Sequence, residues 1–248
     1  MAQQHFKNKF GFISHPNSAK FRDWAATHTF SLKSMFPTIQ KNEIHPLDLS
    51  PTSDFLENKE DFHNLNLFAQ KLEALQQKVP TKIIAGGYLE KRNLYTSDLY
   101  LRTNEEGAEK RDVHIGLDFW LPKNTPVHAI LDGEVVRVTD DSHHKGYGGL
   151  LILKHQLSDF HFYTLYGHNT VSSVLKHPIG HQVKKGEQIA ILADETENGD
   201  WVPHLHFEIM LTLLDFTSDF PGVAFESEIE IWKSICPDPN LLFKLEGF

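Results

Sequence analysis

Two histidines separated by one residue are the first candidates for chemistry in this chain. His204 and His206 lie in the segment WVPHLHFEIM. In a β-strand the side chains at i and i+2 project from one face, with Cα atoms roughly 6.6 Å apart at ~3.3 Å per residue, so both imidazoles could reach one small ligand. Two histidines lining a solvated sheet face are the alternative. The alternate positions are apolar and would point into a core: Leu205, Phe207 and Ile209.

A histidine and a carboxylate occur upstream in the segment VHIGLDFW, as His114 and Asp118. In a straight strand they would lie ~13 Å apart, too far for one metal ion, so a shared role requires the chain to bend between them. Gly116 stands where such a bend costs little. A surface histidine and an aspartate that ends a strand are the alternative.

A third candidate is His168, which ends the segment YTLYGH. The preceding residue, Gly167, allows the backbone to turn, so the imidazole could project over the rim of a sheet. A polar residue in a turn is the simpler interpretation of this histidine by itself.

Together these residues have the composition of a catalytic zinc site. Such sites take three protein ligands of the histidine and carboxylate type and leave the fourth position to water. His114, Asp118 and His206 supply that set. His168 and His204 would then lie near the open position, able to transfer a proton or to stabilise an oxyanion. The sequence does not decide which imidazole has which task.

Composition excludes several kinds of partner. The chain has 33 acidic and 24 basic residues, a formal net charge of −9, and no run rich in Lys or Arg, so we expect no nucleic-acid partner. The apolar stretches fall short of the ~20 residues of a membrane span, and the N-terminus lacks the apolar region of a secretory signal. We therefore expect a cytoplasmic protein with no membrane contact, periplasmic or extracellular only if it is exported by another route. The one cysteine, Cys236, excludes intrachain disulfides and cysteine-rich metal clusters.

The sequence predicts a mainly β protein, α+β overall, in three parts. Residues 1–80 form a helical segment packed on the core, with helices in NSAKFRDWAATHTFSLKSMF and NKEDFHNLNLFAQKLEALQQKV joined by a loop. Residues 81–214 contain short runs rich in β-branched and aromatic residues, which predict an antiparallel β domain. The Asp132-Gly133 step predicts a hairpin turn. Residues 215–248 form a loop and a short helix that wrap the core.

The order H-x-x-x-D, aromatic-Gly-His and H-x-H resembles the lysostaphin- or LytM-type zinc metalloendopeptidases, which cut peptide crosslinks of bacterial cell walls. The phrases HIGLDFWLPKNTPVHAILDGEVVRV, FYTLYGH and PHLHFEI carry the resemblance over about residues 111–210. It implies an antiparallel core of the lysostaphin/LytM type (a duplicated hybrid motif), a Zn²⁺ cofactor, and a peptide or peptidoglycan-fragment substrate. The resemblance also implies roles for five residues: His114, Asp118 and His206 as zinc ligands, and His168 and His204 as the catalytic pair.

The flanking segments are similar to a narrower group of proteins. IAGGYLEKRNLY and DFPGVAFESEIEIWKSICPDPNLL resemble the metallopeptidase-like module that lies between a kinase-like and an aminotransferase domain in some large fused proteins. That similarity implies a possible protein partner of aminotransferase or kinase type.

Three functions follow as hypotheses. The first is a zinc-dependent metallopeptidase-type hydrolase, peptidoglycan-endopeptidase-like, in which a metal-activated water attacks a peptide or amide bond. The second is a non-catalytic metal-containing interaction module that docks through its first 80 residues. The third is an amidohydrolase acting on a small cytoplasmic amide.

Other polar and aromatic residues receive weaker interpretations. Glu208 either orients a ligand ring or is an exposed strand carboxylate. Arg92 pairs with a substrate carboxylate, with the acidic segment NEEGAEKRD, or with a surface partner. Some aromatic residues could wall a substrate groove: Trp120, Tyr166 and Trp201. Five histidines are not assigned to metal: His143, His144, His155, His177 and His181.

Overall fold

The computed structural model describes residues 14–41, 43–56, 64–95, 98–104 and 107–248, except for the side chains of Leu99 and Asn104. The α-helices of these residues are α1 (Ser18–Thr27), α2 (Leu32–Met35), α3 (Leu65–Lys78), α4 (Val171–Val174), α5 (Ile229–Ile235) and α6 (Asn240–Phe243). The strands are β1 (Glu43–Pro46), β2 (Lys82–Gly86), β3 (Glu90–Lys91), β4 (Leu101–Asn104), β5 (Gly107–His114), β6 (Leu117–Trp120), β7 (Pro126–His128), β8 (Gly133–Asp141), β9 (Gly148–Gln156), β10 (His161–Asn169), β11 (Gln182–Val183), β12 (Gln188–Ile191), β13 (His204–Met210) and β14 (Val223–Phe225).

An eight-stranded sheet forms the centre of the protein, in the order β1-β2-β6-β13-β10-β9-β8-β11. Its strand pairs are antiparallel except that β1 and β2 run parallel. A smaller sheet has the order β14-β5-β3, with β4 also paired to β5, and β7 pairs with β12 in a two-stranded ribbon. The predicted mainly β fold built on antiparallel sheets is confirmed.

The alternation along β13 divides the two faces of the large sheet. Leu205, Phe207 and Ile209 are fully buried in one cluster, as predicted, and α1, α2 and α6 supply further apolar side chains to it. For example, the rings of Phe207 and Phe243 lie 5.5 Å apart between centroids. The opposite face carries Met210 in a second cluster that includes α5. His204, His206 and Glu208 therefore lie on a face that is covered at one end and open at the other.

The N-terminal part differs from its prediction in two respects. The first predicted helix is two helices, because the chain is extended at His28 and the Ser31 side chain accepts a hydrogen bond from Lys33 N that starts α2. The loop predicted after it contains β1, which extends the large sheet by parallel pairing. The second predicted helix is α3, capped by the Asn64 side chain and ended before Pro80, while residues 57–63 lie outside the described residues.

The predicted hairpin at Asp132-Gly133 is wrong. The strands on either side of this turn have different partners, since β7 pairs with β12 and β8 pairs with β9 and β11. The chain does turn at this dipeptide, but the turn connects strands of two different sheets. The division of the chain at residues 80 and 214 stays a prediction. Within the described part of the chain, no helix has the length and hydropathy needed to cross a bilayer.

Candidate metal centre

His114 and Asp118 come together because the chain changes sheets between them. β5 ends at His114 in the smaller sheet, and β6 carries Asp118 in the large one, with Ile115 and Gly116 between them. The predicted bend at Gly116 is therefore present. A Cβ at Gly116 would lie 2.6 Å from His206 Cε1 and 2.9 Å from the Phe207 carbonyl oxygen, so this position also needs glycine to let the His206 ring approach.

Strand pairing places the other histidines beside Asp118. In the β6–β13 pair, His206 lies opposite Asp118 and His204 lies opposite Trp120. On the other side of β13, Gly167 of β10 lies opposite His206, and His168 follows with φ of 65°. This left-handed conformation turns the imidazole out of the regular strand direction. The turn lies at His168 itself and not at Gly167, where it was predicted.

Three donor atoms converge at the predicted ligands. His114 Nε2 lies 2.9 Å from His206 Nδ1. Asp118 Oδ1 lies 3.3 Å from His114 Nε2 and 3.2 Å from His206 Nδ1. Tetrahedral zinc with ligand bonds of ~2.0–2.1 Å holds its donors about 3.3 Å apart. The three side chains are almost fully buried and meet the spacing of a metal site.

Hydrogen bonds on the far side of each ring select the converging nitrogens. His114 Nδ1 lies 2.9 Å from the Gly87 carbonyl oxygen, which can only accept, so Nδ1 carries the proton and Nε2 presents its lone pair. His206 Nε2 lies 3.4 Å from Glu208 Oε2, which leaves Nδ1 toward Asp118. Two imidazole nitrogens that face each other at 2.9 Å repel unless a proton or a metal cation lies between them. The donor set therefore fits a divalent metal ion.

The electrostatics favour positive charge at this point. Burial alone would lower the pKa of His206, but hydrogen bonds to Asp118 and Glu208 outweigh it and raise the pKa to about 9. Burial and the charge of Arg92 lower the pKa of His114 to about 4. Burial opposes the charge of Asp118, yet His114 and Arg92 hold its pKa well below the ordinary value. Asp118 is thus an anion that binds either a protonated His206 or a metal ion in its place.

Glu208 is fully buried beside His206, so the exposed-strand alternative for it is wrong. Its carboxylate faces the ring nitrogen that does not converge on Asp118. Such a carboxylate–histidine pair fixes the ring orientation of a metal ligand and raises its basicity.

Arg92 holds the second oxygen of Asp118. The guanidinium is only 3% exposed, and it donates from Nη1 to Asp118 Oδ2 at 2.6 Å and from Nε to Glu90 Oε2 at 2.5 Å. This leaves Asp118 Oδ1 for the converging donors. The interpretation of Arg92 as a surface ion pair is wrong, because the side chain is buried. Pairing with a substrate carboxylate stays a prediction, because Arg92 lines the cleft. Glu90 in turn accepts from Leu49 N at 2.8 Å, which ties the N-terminal segment to this network.

His168 and His204 lie together at the side of the three donors. Their ring centroids are 4.3 Å apart, and His204 Nε2 lies 3.8 Å from Asp118 Oδ1. His168 Nδ1 donates to Asn198 O at 2.9 Å and His204 Nδ1 donates to Val202 O at 2.7 Å, so each presents Nε2 as its lone-pair nitrogen. Burial lowers the pKa of both imidazoles, which keeps them neutral near pH 7.

A cleft with a cavity volume of about 270 Å³ contains these five residues. Trp120 and Trp201 line it, as predicted, whereas Tyr166 is fully buried and packs against Phe207 in the core. Part of the wall comes from outside the region that carries the motifs, and sequence reasoning missed it: Leu49, Leu65 and Phe68.

The unassigned histidines have different surroundings. His155 is buried and bonds Asp132 O and Thr164 Oγ1, as expected of a structural histidine. His143 and His144 are exposed, each beside one aspartate. His177 and His181 lie with Glu187 in a second group of metal-type donors, which the sequence reasoning missed although the i, i+4 spacing of the histidines was visible.

A sequence model of peptidase family M23 matches residues 112–215. Residues 112–215, less than half of the chain, are thus similar to an M23 peptidase domain. The resemblance to lysostaphin- and LytM-type zinc peptidases is thereby confirmed at the level of the family, and it covers the segment that contains all five candidate residues.

Individual relatives match over part of their length. A lipoprotein of Escherichia coli (strain K12), YgeR, described as uncharacterized, is 33% identical over 94 residues, which are 38% of this chain and 33% of the relative. The chain thus spans about a third of the length of that relative. A zinc-containing peptidase from Vibrio cholerae is 31% identical with a TM-score of 0.33, over 44% of this chain and 30% of the other. The catalytic domain of lysostaphin from Staphylococcus simulans is 24% identical with a TM-score of 0.34, over 48% of this chain and 80% of the other. These TM-scores are too low to establish a shared overall fold, so the assignment rests on the sequence match.

Proposed function

We propose that this protein is a zinc-dependent hydrolase that cleaves a peptide or amide bond by metal-activated water. The observation that carries the proposal is the convergence of three donors, 2.9–3.3 Å apart, beside two imidazoles that present lone-pair nitrogens. The M23 domain match supports the reaction class. His114, Asp118 and His206 would hold the ion, which supplies a Lewis acid and lowers the pKa of water toward ~7.

The neutral imidazoles of His168 and His204 perform the proton transfers. One would accept the proton of the attacking water through Nε2 and deliver it to the leaving nitrogen, and the other, after taking up a proton from solvent, would donate a hydrogen bond to the oxygen that becomes negative. Their Nδ1 hydrogen bonds to backbone carbonyls hold both rings in place for these tasks. The surrounding indoles and tyrosines exclude water, which strengthens these interactions.

The substrate is a peptide or a peptidoglycan fragment of limited size. A cavity of about 270 Å³ lies just below the ~300–1,000 Å³ of ligand sites and suits a short segment. The same volume favours a small amide as the second candidate substrate, and the same residues would act on it. A partner of aminotransferase or kinase type stays a prediction.

The test is hydrolysis by the purified, untagged protein of wall fragments and of a peptide and amide library in parallel. We expect cleavage that a chelator abolishes and one equivalent of Zn²⁺ restores, with no loss in a His144→Ala control. Cleavage of small amides alone would select the second candidate. Hydrolysis that continues at full rate after complete removal of metal would overturn the proposal.

A further inference from the structure

A second group of metal-type donors lies outside the cleft, on the turns that flank β11. The group consists of His177, His181 and Glu187, whose donor atoms all lie within 4.8 Å of one another. All three are half-buried, and the side chains of His181 and Glu187 are 37% and 33% exposed, so an ion from solvent can reach them. We call this group the rim cluster.

Two turns fix the backbone under the rim cluster. His181 N donates to Pro178 O at 3.0 Å, and the His181 carbonyl accepts from Val135 N of β8 at 2.9 Å. The Glu187 amide donates to Lys184 O at 2.9 Å, and its carbonyl accepts from Ala129 N at 2.9 Å. Both turns are therefore attached to the rigid sheets, and the donors need only side-chain rotation to adjust their distances.

The side chains already point toward a common position. His181 Nε2 lies 3.0 Å from Glu187 Oε1, and the rings of His177 and His181 are 5.5 Å apart between centroids. Glu187 Oε2 accepts from Lys184 N at 2.9 Å, which orients the carboxylate and leaves Oε1 toward the histidines. The ammonium of Lys184 does not compete for this oxygen, because it lies 3.0 Å from Asp132 Oδ2.

We propose that the rim cluster is a second metal site, which binds a divalent ion of the zinc type through His177, His181 and Glu187. Two imidazoles and one carboxylate are ligands that zinc accepts, with water completing the coordination. Donors up to 4.8 Å apart must close to about 3.3 Å, a movement that half-exposed side chains make readily. The ion connects the 177–181 turn with the 184–187 turn.

This site binds more weakly than the buried cluster. A carboxylate and a carbonyl orient the rings of His206 and His114 from behind, and loss of such support typically weakens metal binding by about 10–100-fold. We expect the same ratio between the two sites. Because the rim cluster shares no residue with the cleft, it does not depend on the proposed hydrolase function.

The test is a Zn²⁺ titration of untagged protein against a chromophoric chelator. Unaltered protein binds two equivalents, the second about 10–100-fold more weakly. The His177→Ala/His181→Ala double variant and Glu187→Gln lose the second equivalent and keep the first, whereas His206→Ala loses the first and keeps the second. A matched control is His143→Ala/His144→Ala, which removes two exposed histidines that each face a single aspartate.

Thermal unfolding provides an independent readout. Excess Zn²⁺ raises Tm further in the control than in the rim variants, because an ion bound only to the folded state stabilises it. Binding of a single equivalent by unaltered protein, or an unchanged second equivalent in the rim variants, overturns the proposal. Loss of the second equivalent in the control does so as well.

Discussion

The buried cluster of His114, Asp118 and His206 and the rim cluster contain the same donor types in different surroundings. In the buried cluster each side chain has a partner on its far side: the Gly87 carbonyl, the Arg92 guanidinium and the Glu208 carboxylate. In the rim cluster, as far as the described residues go, Glu187 alone is held in this way, by the Lys184 amide. The difference teaches that donor type makes a metal site possible, while the groups behind the donors determine its affinity.

Position in the fold adds a second difference. The buried donors come from the end of β5 and from the paired strands β6 and β13, and two further imidazoles face the place where they converge. The rim donors lie on turns and face solvent. Only the buried cluster therefore has groups beside it that can transfer protons to a bound substrate.

The largest effect is expected for removal of a buried donor. His206→Ala should lose the tightly bound zinc, and hydrolysis should fall at least ~10³-fold, because a metal ion supplies several kcal/mol of transition-state stabilisation. Metal analysis after dialysis against a chelator measures the first and initial rates measure the second. His181→Ala serves as the control and keeps both. If the His206→Ala variant retained one equivalent of tightly bound zinc, the assignment of His206 as a ligand would be contradicted.

The next effect concerns the two imidazoles that hold no metal. His168→Ala and His204→Ala should each lower kcat by about 10²–10⁴-fold, the usual contribution of a positioned acid or base. Both variants should retain one tightly bound zinc, because their rings are not among the converging donors. If either variant loses zinc to the same extent as His206→Ala, the division between ligands and catalytic residues is wrong.

Arg92 can be compared with Arg102, whose ion pairs with two glutamates are partly buried elsewhere in the same chain. Arg92→Lys should weaken zinc binding by about 10–100-fold, since a single ammonium cannot hold both Asp118 and Glu90. Competition with a chelator measures this affinity. Arg102 pairs with Glu109 and Glu228 away from the donors, so Arg102→Lys should lower the free energy of unfolding without changing zinc affinity. Equal zinc affinities in the two variants would remove the positioning role of Arg92.

Glu208 and Glu228 are both buried carboxylates, but only Glu208 lies beside His206, so the two can be compared in the same way. Glu208→Gln should weaken zinc binding toward the lower end of the same range, about 10-fold, because the amide oxygen still accepts from the ring but carries no charge. Glu228, 1% exposed and bonded to Arg102 and Trp232, is the matched control. Glu228→Gln should leave the chelator competition unchanged, and a similar shift in both variants would show a general effect of buried charge.

The smallest effect belongs to the rim cluster in the absence of metal. His181→Ala should change the free energy of unfolding by less than about 0.5 kcal/mol in metal-free buffer, because a solvent-screened pair contributes little. Denaturant unfolding monitored by tryptophan fluorescence measures it. A loss of several kcal/mol without metal would show that the contact of His181 with Glu187 is structural.

Much of the buried cluster could be predicted because its signals are local. The spacing of His204, His206 and Glu208 implies a common face in any strand, and the apolar residues between them identify the opposite face. Gly116 marked the bend that His114 and Asp118 require. The contact of Arg92 with the buried cluster could not be predicted, because no residue near Arg92 in the sequence indicates that β6 will place Asp118 beside it.

The N-terminal segment was predicted less well for a similar reason. Residues 43–46 form a strand only because the exposed edge of β2 offers parallel hydrogen bonds, and this pairing has no local turn signal. The hairpin at Asp132-Gly133 failed because a turn dipeptide specifies a change of direction but not the partner of the following strand.

The sequence by itself determined the kinds of donors, their alternation along strands and the mainly β character, since these follow from side-chain chemistry and the two-residue period of a strand. Tertiary structure alone decided which nitrogen of each histidine points inward, which oxygen of Asp118 remains for an ion, and that His177, His181 and Glu187 meet. The physical reason is that the carbonyls, carboxylates and guanidinium behind these groups arrive from distant parts of the chain.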